Sequence, residues 1–220
     1  MRALPASQTS ITVRNITSLT EAATRESARV GGLGRPRDER IDDAVRRATV
    51  ELLEGGGYLQ LTIAAIAERA GSNKPAIYRR WPTKAHLVHD AVFPAQDLDA
   101  IPPGGDLRGD IKALVIAGLD LLGRPAARAA LPGLLAEVSA DPGLQAEVLG
   151  RAAGGTWEWL QRRLDAGVEA GEVRGDVKAS TVFELIAGTA FVATAIRPRH
   201  AVDDEWIDDV VDLILRGITP

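Results

Sequence analysis

Three features of the sequence predict an all-α fold of about nine helices. Apolar residues recur three and four apart in one segment after another. No run alternates at the two-residue period of a half-buried strand, and Gly, Pro and Ser/Thr/Asp/Asn fall where helices stop and start. The chain has 220 residues, which suits one large domain or two small ones with a real core. Its composition, 45% hydrophobic and 25% charged, is ordinary for a protein that folds in water. There is no cysteine, so disulfides and thiolate chemistry are excluded. The longest uncharged apolar run, 185–196, falls well short of the roughly 20 residues that span a bilayer.

Residues 1–29 are rich in Thr, Ser, Ala and Arg, with sparse apolar residues at Ile11, Val13, Ile16 and Leu19. "GGLGRPR" at 31–37 then breaks any helix. Residues 1–34 are read as an extension, flexible or partly helical. They lack a continuous apolar core with a cleavage site, so no secretory signal is expected, and the cytoplasm is the expected compartment. The first helix is predicted over 38–54, with Ile41, Val45, Ala48, Leu52 and Leu53 as its buried stripe and "GGG" at 55–57 as its end. Tyr58, Leu59 and Leu61 are expected to pack as a linker. Thr62 is a candidate N-cap for a short helix over 63–70, and Gly71 a left-handed residue that stops it. Ser72 or Asn73 caps the next helix. Pro75 is acceptable only in a first turn, where its missing N–H is not needed, so that helix starts near Lys74 and runs to about Trp81. Pro82 ends it, and Thr83 caps a fourth helix over 84–93.

Beyond "PPGG" at 102–105 the pattern stays helical. Leu107, Ile111, Val115, Gly118, Leu119 and Leu122 share one face. Pro125 and Pro132 punctuate the next helix, which is expected to be short or kinked. One long helix is predicted over 142–170, weakened by Gly154 and Gly155, followed by helices over 178–196 and 203–217.

Charge divides the chain. Residues 1–90 hold 14 Lys/Arg against 10 Asp/Glu, and residues 91–220 hold 12 against 20. A basic front on an acidic body suits a protein that touches a polyanion with one end. The short segment 67–84, "AERAGSNKPAIYRRWPTK", carries Lys74, Arg79, Arg80 and Lys84 around Tyr78 and Trp81. Ile63, Ile66 and Ala67 face inward on one helix and Ile77 on the next, across the sharp turn at Gly71. This is the spacing of a helix-turn-helix, whose second helix enters the DNA major groove. An ordinary helical hairpin would explain the turn but not the cations and tyrosine on the outward face.

The stretch "TIAAIAERAGSNKPAIYRRWPTKAHLV" (62–88) resembles the helix-turn-helix of the tetracycline-repressor-like (TetR) family of bacterial regulators, and "YRRWPTK" is its most specific part. The close match covers about 37–92. Many members have Gly and Phe where this chain has Pro75 and Trp81; Trp81 is still expected to plug the core, and Pro75 to alter base preference rather than fold. Asn73, Lys74, Pro75 and Ala76 are expected to meet base edges: Asn can pair with adenine, Lys with guanine, and Pro and Ala can touch a thymine methyl. The resemblance makes Tyr78 and Lys84 phosphate contacts, which set register rather than sequence. Arg79 points outward to a base or a phosphate. Arg80 is either a contact or a solvated charge, and Thr62 either a phosphate contact or simply a cap. Arg35 and Arg37 form a basic arm for the minor groove, or else a disordered lead-in.

The resemblance divides the chain into a DNA-binding domain over 35–93 and an effector-binding and dimerisation domain over 94–220. The last two helices are apolar on more than one face, which implies burial against both the chain and a partner. Val182, Leu185, Ile186, Thr189 and Val192, with Gly188 for close approach, are the expected homodimer face on one helix. Ile207, Val210, Val211 and Ile214 are its counterpart on the other. Candidate lining for a small-molecule pocket comprises Leu114, Gly118, Leu121, Leu135, Trp157, Leu160, Phe183 and Phe191, though for any one of them taken singly plain core packing is the better explanation. No charged cluster interrupts these stripes, so a largely apolar effector is expected.

Enzyme readings find little support. His86 and His89 lie three apart with Asp90 beside them, but no third metal ligand is evident and all three are expected to be solvated surface residues. "GGLG" and "GGG" lack the strand context of a phosphate loop. No cofactor is implied. The expectation is a ligand-responsive repressor on pseudo-palindromic operator DNA. An activator, a ligand-independent DNA-binding protein, and a helical enzyme with an apolar pocket stand as alternatives.

Overall fold

The computed structural model describes residues 39–94, 105–152, 155–198 and 201–220. Ten helices and no strand occur among them: α1 (Glu39–Gln60), α2 (Ile63–Arg69), α3 (Lys74–Tyr78), α4 (Lys84–Val92), α5 (Leu107–Gly123), α6 (Pro125–Ala140), α7 (Pro142–Ala152), α8 (Gly155–Glu169), α9 (Ala179–Ala195) and α10 (Asp204–Ile218). The expected extension and the arm residues Arg35 and Arg37 lie outside the described residues. None of the described helices is long and apolar enough to cross a membrane.

Several predicted boundaries move, each for a local reason. The first helix continues through Gly55 and Gly56 and breaks only at Gly57, whose φ of 72° is left-handed. Ile41 lies on its exposed side, while Val45, Ala48, Thr49 and Leu53 are buried. The helix-turn-helix's second helix closes at Tyr78 rather than Trp81, in a tightened last turn where the Arg80 and Trp81 amides share the Ile77 carbonyl, each at 2.9 Å. The helix at Pro125 is not short. It runs 16 residues through Pro132, which sits on the exposed side, where water can take the bond that the missing N–H leaves open. The long helix expected over 142–170 is two, α7 and α8, which brings the helices among the described residues to ten.

Two apolar cores organise the body. The first joins Val45, Leu53, Ile66, Ile77, Leu87 and Val88 of α1–α4 to Ala127, Leu131 and Leu134 of α6 and Leu144 of α7. Alanines 126, 127 and 130 present almost no side chain, so α6 can lie close against α1. The second core joins α5, α8, α9 and α10 through Ile111, Leu160, Leu164, Val182, Val211 and Ile214. Polar ties cross it. Arg163 of α8 donates to the buried Asp110 of α5 at 2.6 Å, and Lys112 of α5 pairs with Asp208 of α10 at 2.8 Å. The hydrogen bond to Asp110 outweighs burial and holds the Arg163 guanidinium above its ordinary pKa.

Candidate nucleic-acid interface

The reading unit is assembled from α2 to the start of α4. Thr62 caps α2, its hydroxyl accepting from the Ala65 amide at 3.2 Å. At the other end Gly71 adopts φ 62°, its amide donates to the Glu68 carbonyl at 3.2 Å, and the Ser72 amide to the Ala67 carbonyl at 2.8 Å. This pair of bonds is a Schellman stop, and it turns the chain sharply enough to start a second helix at once. Asn73 is the cap of α3, its Oδ1 accepting from the Ala76 amide at 2.9 Å. Pro75 occupies the first turn, where its absent N–H costs nothing.

Ile77 is the only fully buried residue of α3 and pins it against Ile66 and Ala67. The other side of the helix faces solvent: Asn73, Lys74, Pro75, Tyr78 and Arg79 are exposed, Tyr78 at 49%. Ala76 is half-buried. The Asn73 cap constrains its expected use, since one lone pair of Oδ1 is committed and the amide nitrogen is the free donor. Arg80 is not a solvated charge. It forms an ion pair with Asp42 of α1, both side chains largely buried, and so braces the reading helix against α1.

Trp81 plugs the core below α3 at 6% exposure. Its indole N–H donates to Asp90 at 2.9 Å, and Arg46 of α1 donates to the same carboxylate oxygen at 2.8 Å while its guanidinium lies 5.7 Å from the indole centre. Burial opposes the charge of Arg46, but Asp90 and the nearby Asp42 and Asp43 outweigh it and raise its pKa. His86, His89 and Asp90 are therefore not solvated surface residues. His89 is buried against Phe93, with ring centres 5.6 Å apart, and His86 faces Glu147 of α7 at 3.3 Å. The reason is that α4 is wrapped on several sides, by α1, α6 and α7, which periodicity within a nine-residue helix does not reveal. No cluster of three or more metal-ligating side chains occurs among the described residues.

Lys84 opens α4 behind the Thr83 cap. Its ammonium donates to the Tyr58 carbonyl at 3.2 Å and stands 4.0 Å from the centre of the Tyr58 ring. Tyr58 and Leu61 pack inward as expected of the linker, but Leu59 does not: it is 92% exposed. Tyr58 and its supports are what the linear pattern does not reveal. A capping threonine and a lysine at a helix start are visible in sequence; a ring underneath them, 26 residues earlier, is not.

In the body, Leu114 and Leu160 are buried members of the second core, and Leu135 points outward at 44% exposure. Trp157 and Phe183 are half-buried with ring centres 6.1 Å apart. Leu121 and Phe191 are half-buried against the first core, and Gly118 meets Ala190. A cleft of about 380 Å³ lies elsewhere, between α1 and the end of α4, lined by Arg46, Arg47, Val50 and Ala91 among others. On the last two helices Val182, Ile186, Val211 and Ile214 are buried in the chain's own core, which removes them from any exposed face. Thr189, Ile207 and Val210 are half-buried. Leu185, Gly188 and Val192 form the outward stripe of α9, with Ile196 exposed just past its end, and Leu213 is the exposed apolar residue of α10.

A capped five-residue helix with an outward basic and aromatic face, anchored by one isoleucine and mounted on an all-helical body, defines a helix-turn-helix regulator. Residues 45–91 match the family described as bacterial regulatory proteins, tetR family, and residues 101–214 match the tetracyclin repressor-like C-terminal domain. The chain is 30% identical over 172 residues to the uncharacterised HTH-type transcriptional regulator Rv1556 of Mycobacterium tuberculosis, which covers 78% of this chain and 84% of that one. It is 27% identical over 187 residues to the uncharacterised HTH-type transcriptional regulator YdeS of Bacillus subtilis, covering 84% and 93%. The crystal structure of the TetR family transcription regulator SCO0332 superposes with a TM-score of 0.61 at 27% identity, over 82% of this chain and 99% of that one. The chain belongs to the TetR family of bacterial transcriptional regulators, a family of regulators and not of enzymes.

Proposed function

We propose that the protein is a cytoplasmic, ligand-responsive repressor that binds pseudo-palindromic operator DNA as a homodimer. The observation that carries this reading is the outward face of α3, where Lys74, Tyr78 and Arg79 stand exposed while Ile77 and Trp81 lock the helix from behind. Lys74, Pro75 and Ala76, with the free amide nitrogen of Asn73, read bases; Tyr78, Lys84 and Thr62 hold phosphates; Arg79 takes either role. Arg35 and Arg37 reach the minor groove. One such helix reads few bases, so two copies are needed. Leu185, Gly188 and Val192 of α9, with the half-buried Thr189, Ile207 and Val210, supply the apolar face for the second copy. The effector is small and largely apolar and lodges among Gly118, Leu121, Trp157, Phe183 and Phe191.

Two reading helices must stand about 34–36 Å apart to enter adjacent major grooves. α4 joins the reading unit to the body, so a small tilt there alters that separation. A ligand shifts the equilibrium only by its difference in affinity for the two forms, and the coupling is reciprocal. The test is footprinting of DNA flanking the protein's own gene, with and without candidate ligands. A protected pseudo-palindrome that is lost on adding a ligand is the expected result. Titration of that ligand against free and operator-bound protein must then give a weaker affinity for the complex. Equal affinities would sink the induction mechanism, and absence of any protected site would sink operator binding.

A further inference from the structure

The ammonium of Lys84 rests on a surface that the body of the protein holds in place. Its support is Tyr58, at the end of α1, which offers both the carbonyl at 3.2 Å and the ring face at 4.0 Å. The ring is itself wedged. It is 5% exposed, and its edge lies against the backbone of Gly133 on α6, where even a Cβ would stand 2.1 Å from a ring carbon. Its phenol oxygen is shut inside, with the Glu137 carboxylate of the same helix acting on it. A lysine at a helix start is ordinarily a long, freely rotating chain, and fixing it on a phosphate costs rotamer entropy. Here much of that freedom is already removed. An ammonium has three donors. One is directed at the Tyr58 carbonyl, which leaves the others for an incoming phosphate.

We propose that Tyr58 is a positioning residue for DNA binding: its ring and carbonyl hold the Lys84 ammonium ready for a phosphate, and α6 fixes where that ring stands. The proposal rests on Lys84 being a phosphate contact. It adds that the strength of this contact is set by a side chain that never touches DNA and that is clamped from the effector-binding body.

The experiment is a double-mutant cycle on DNA affinity. The probe is a mixed-sequence duplex of about 30 base pairs at roughly 50 mM salt, since a phosphate contact is independent of sequence. Full-length parent protein, Tyr58→Leu, Lys84→Ala and the double variant are compared at a temperature where circular dichroism shows each to be folded. Tyr58→Leu is expected to weaken binding roughly two- to thirtyfold, according to how much of the ~2 kcal/mol of lysine rotamer freedom the ring removes before a phosphate arrives. In the Lys84→Ala background the same substitution is expected to change affinity less than about twofold, because the residue it acts through is gone. Tyr58→Phe, which keeps the ring, is expected to recover most of the affinity that Tyr58→Leu loses. Equal losses in both backgrounds would make Tyr58 a merely structural residue and overturn the proposal. So would tighter binding by Tyr58→Leu, since the ring would then be holding Lys84 away from DNA, or a Tyr58→Phe as weak as Tyr58→Leu. Lys84→Ala binding like the parent would be a different failure, one that removes the phosphate contact itself and the proposal with it.

Discussion

Gly133→Ala tests the wedge between α1 and α6 directly, because two physical effects oppose each other at that position. Helix propensity alone favours the substitution by up to about 1 kcal/mol in a helix interior. The structure opposes it. An alanine Cβ would stand 2.1, 2.5 and 2.8 Å from three carbons of the Tyr58 ring, where ordinary contact begins near 3.4 Å. The ring would have to move by more than about 1 Å. It is buried against the first core on one side and has the Lys84 ammonium 4.0 Å away on another. Overpacking of this kind costs about 1–3 kcal/mol. The full propensity gain would offset about 1 kcal/mol of it, leaving a net loss of up to about 2 kcal/mol. Gly150→Ala is the matched control: toward the end of α7, an added Cβ meets nothing within 4 Å, so a gain of up to about 1 kcal/mol is expected. Urea unfolding followed by circular dichroism reads both. In a Tyr58→Leu background the Gly133→Ala penalty should shrink by about 1 kcal/mol or more, since contacting residues couple. A Gly133→Ala protein stabilised as much as Gly150→Ala, with no coupling to Tyr58→Leu, would refute the reasoning.

Lys84→Ala and Tyr78→Phe should weaken binding to all duplexes alike, and Lys84→Ala should shallow the log–log salt dependence by about 0.9 for each phosphate that a subunit no longer neutralises; an unchanged slope would contradict the assignment of Lys84 to a phosphate. Lys74→Ala should alter the preferred site in a selection experiment, at about 1–3 kcal/mol for a good bidentate contact, and an unaltered site would remove Lys74 from the reading set. Gly188 is exposed on α9 with open space where a Cβ would go, so Gly188→Arg should fold as well as the parent yet sediment as a monomer; a stable dimer would put the seam elsewhere. Burial, reinforced by Glu137, raises the pKa of the Tyr58 phenol, so the folded protein holds that proton more tightly than the unfolded chain. Its stabilising contribution is present below the ordinary phenol pKa of about 10 and is lost as pH rises toward the folded value. Stability should therefore decline above about pH 10, less steeply in Tyr58→Phe; equal declines would assign the effect to other groups.

Local chemistry was legible in the sequence because it acts over three or four residues. Thr62, Asn73 and Thr83 cap the helices they precede, and Gly71 takes the left-handed turn, because each bond involved closes within one helical turn. That was enough to place Ile77 inside and Lys74, Tyr78 and Arg79 outside. Tertiary structure alone decided which charges are solvated. Arg80 and Asp90 look like surface residues in a linear pattern, but Asp42 and Arg46 arrive from α1, some 40 residues earlier, and draw both into part-buried pairs. It also decided which stripe of α9 faces inward. The helix is apolar on more than one side, so periodicity cannot rank its faces; packing against α5 and α8 encloses Val182 and Ile186 and leaves Leu185 and Val192, expected on the same face, outside. Gly133 shows the limit most clearly. In sequence it is a weak residue in a proline-bearing helix, and only the approach of Tyr58 from 75 residues away makes its missing side chain a requirement.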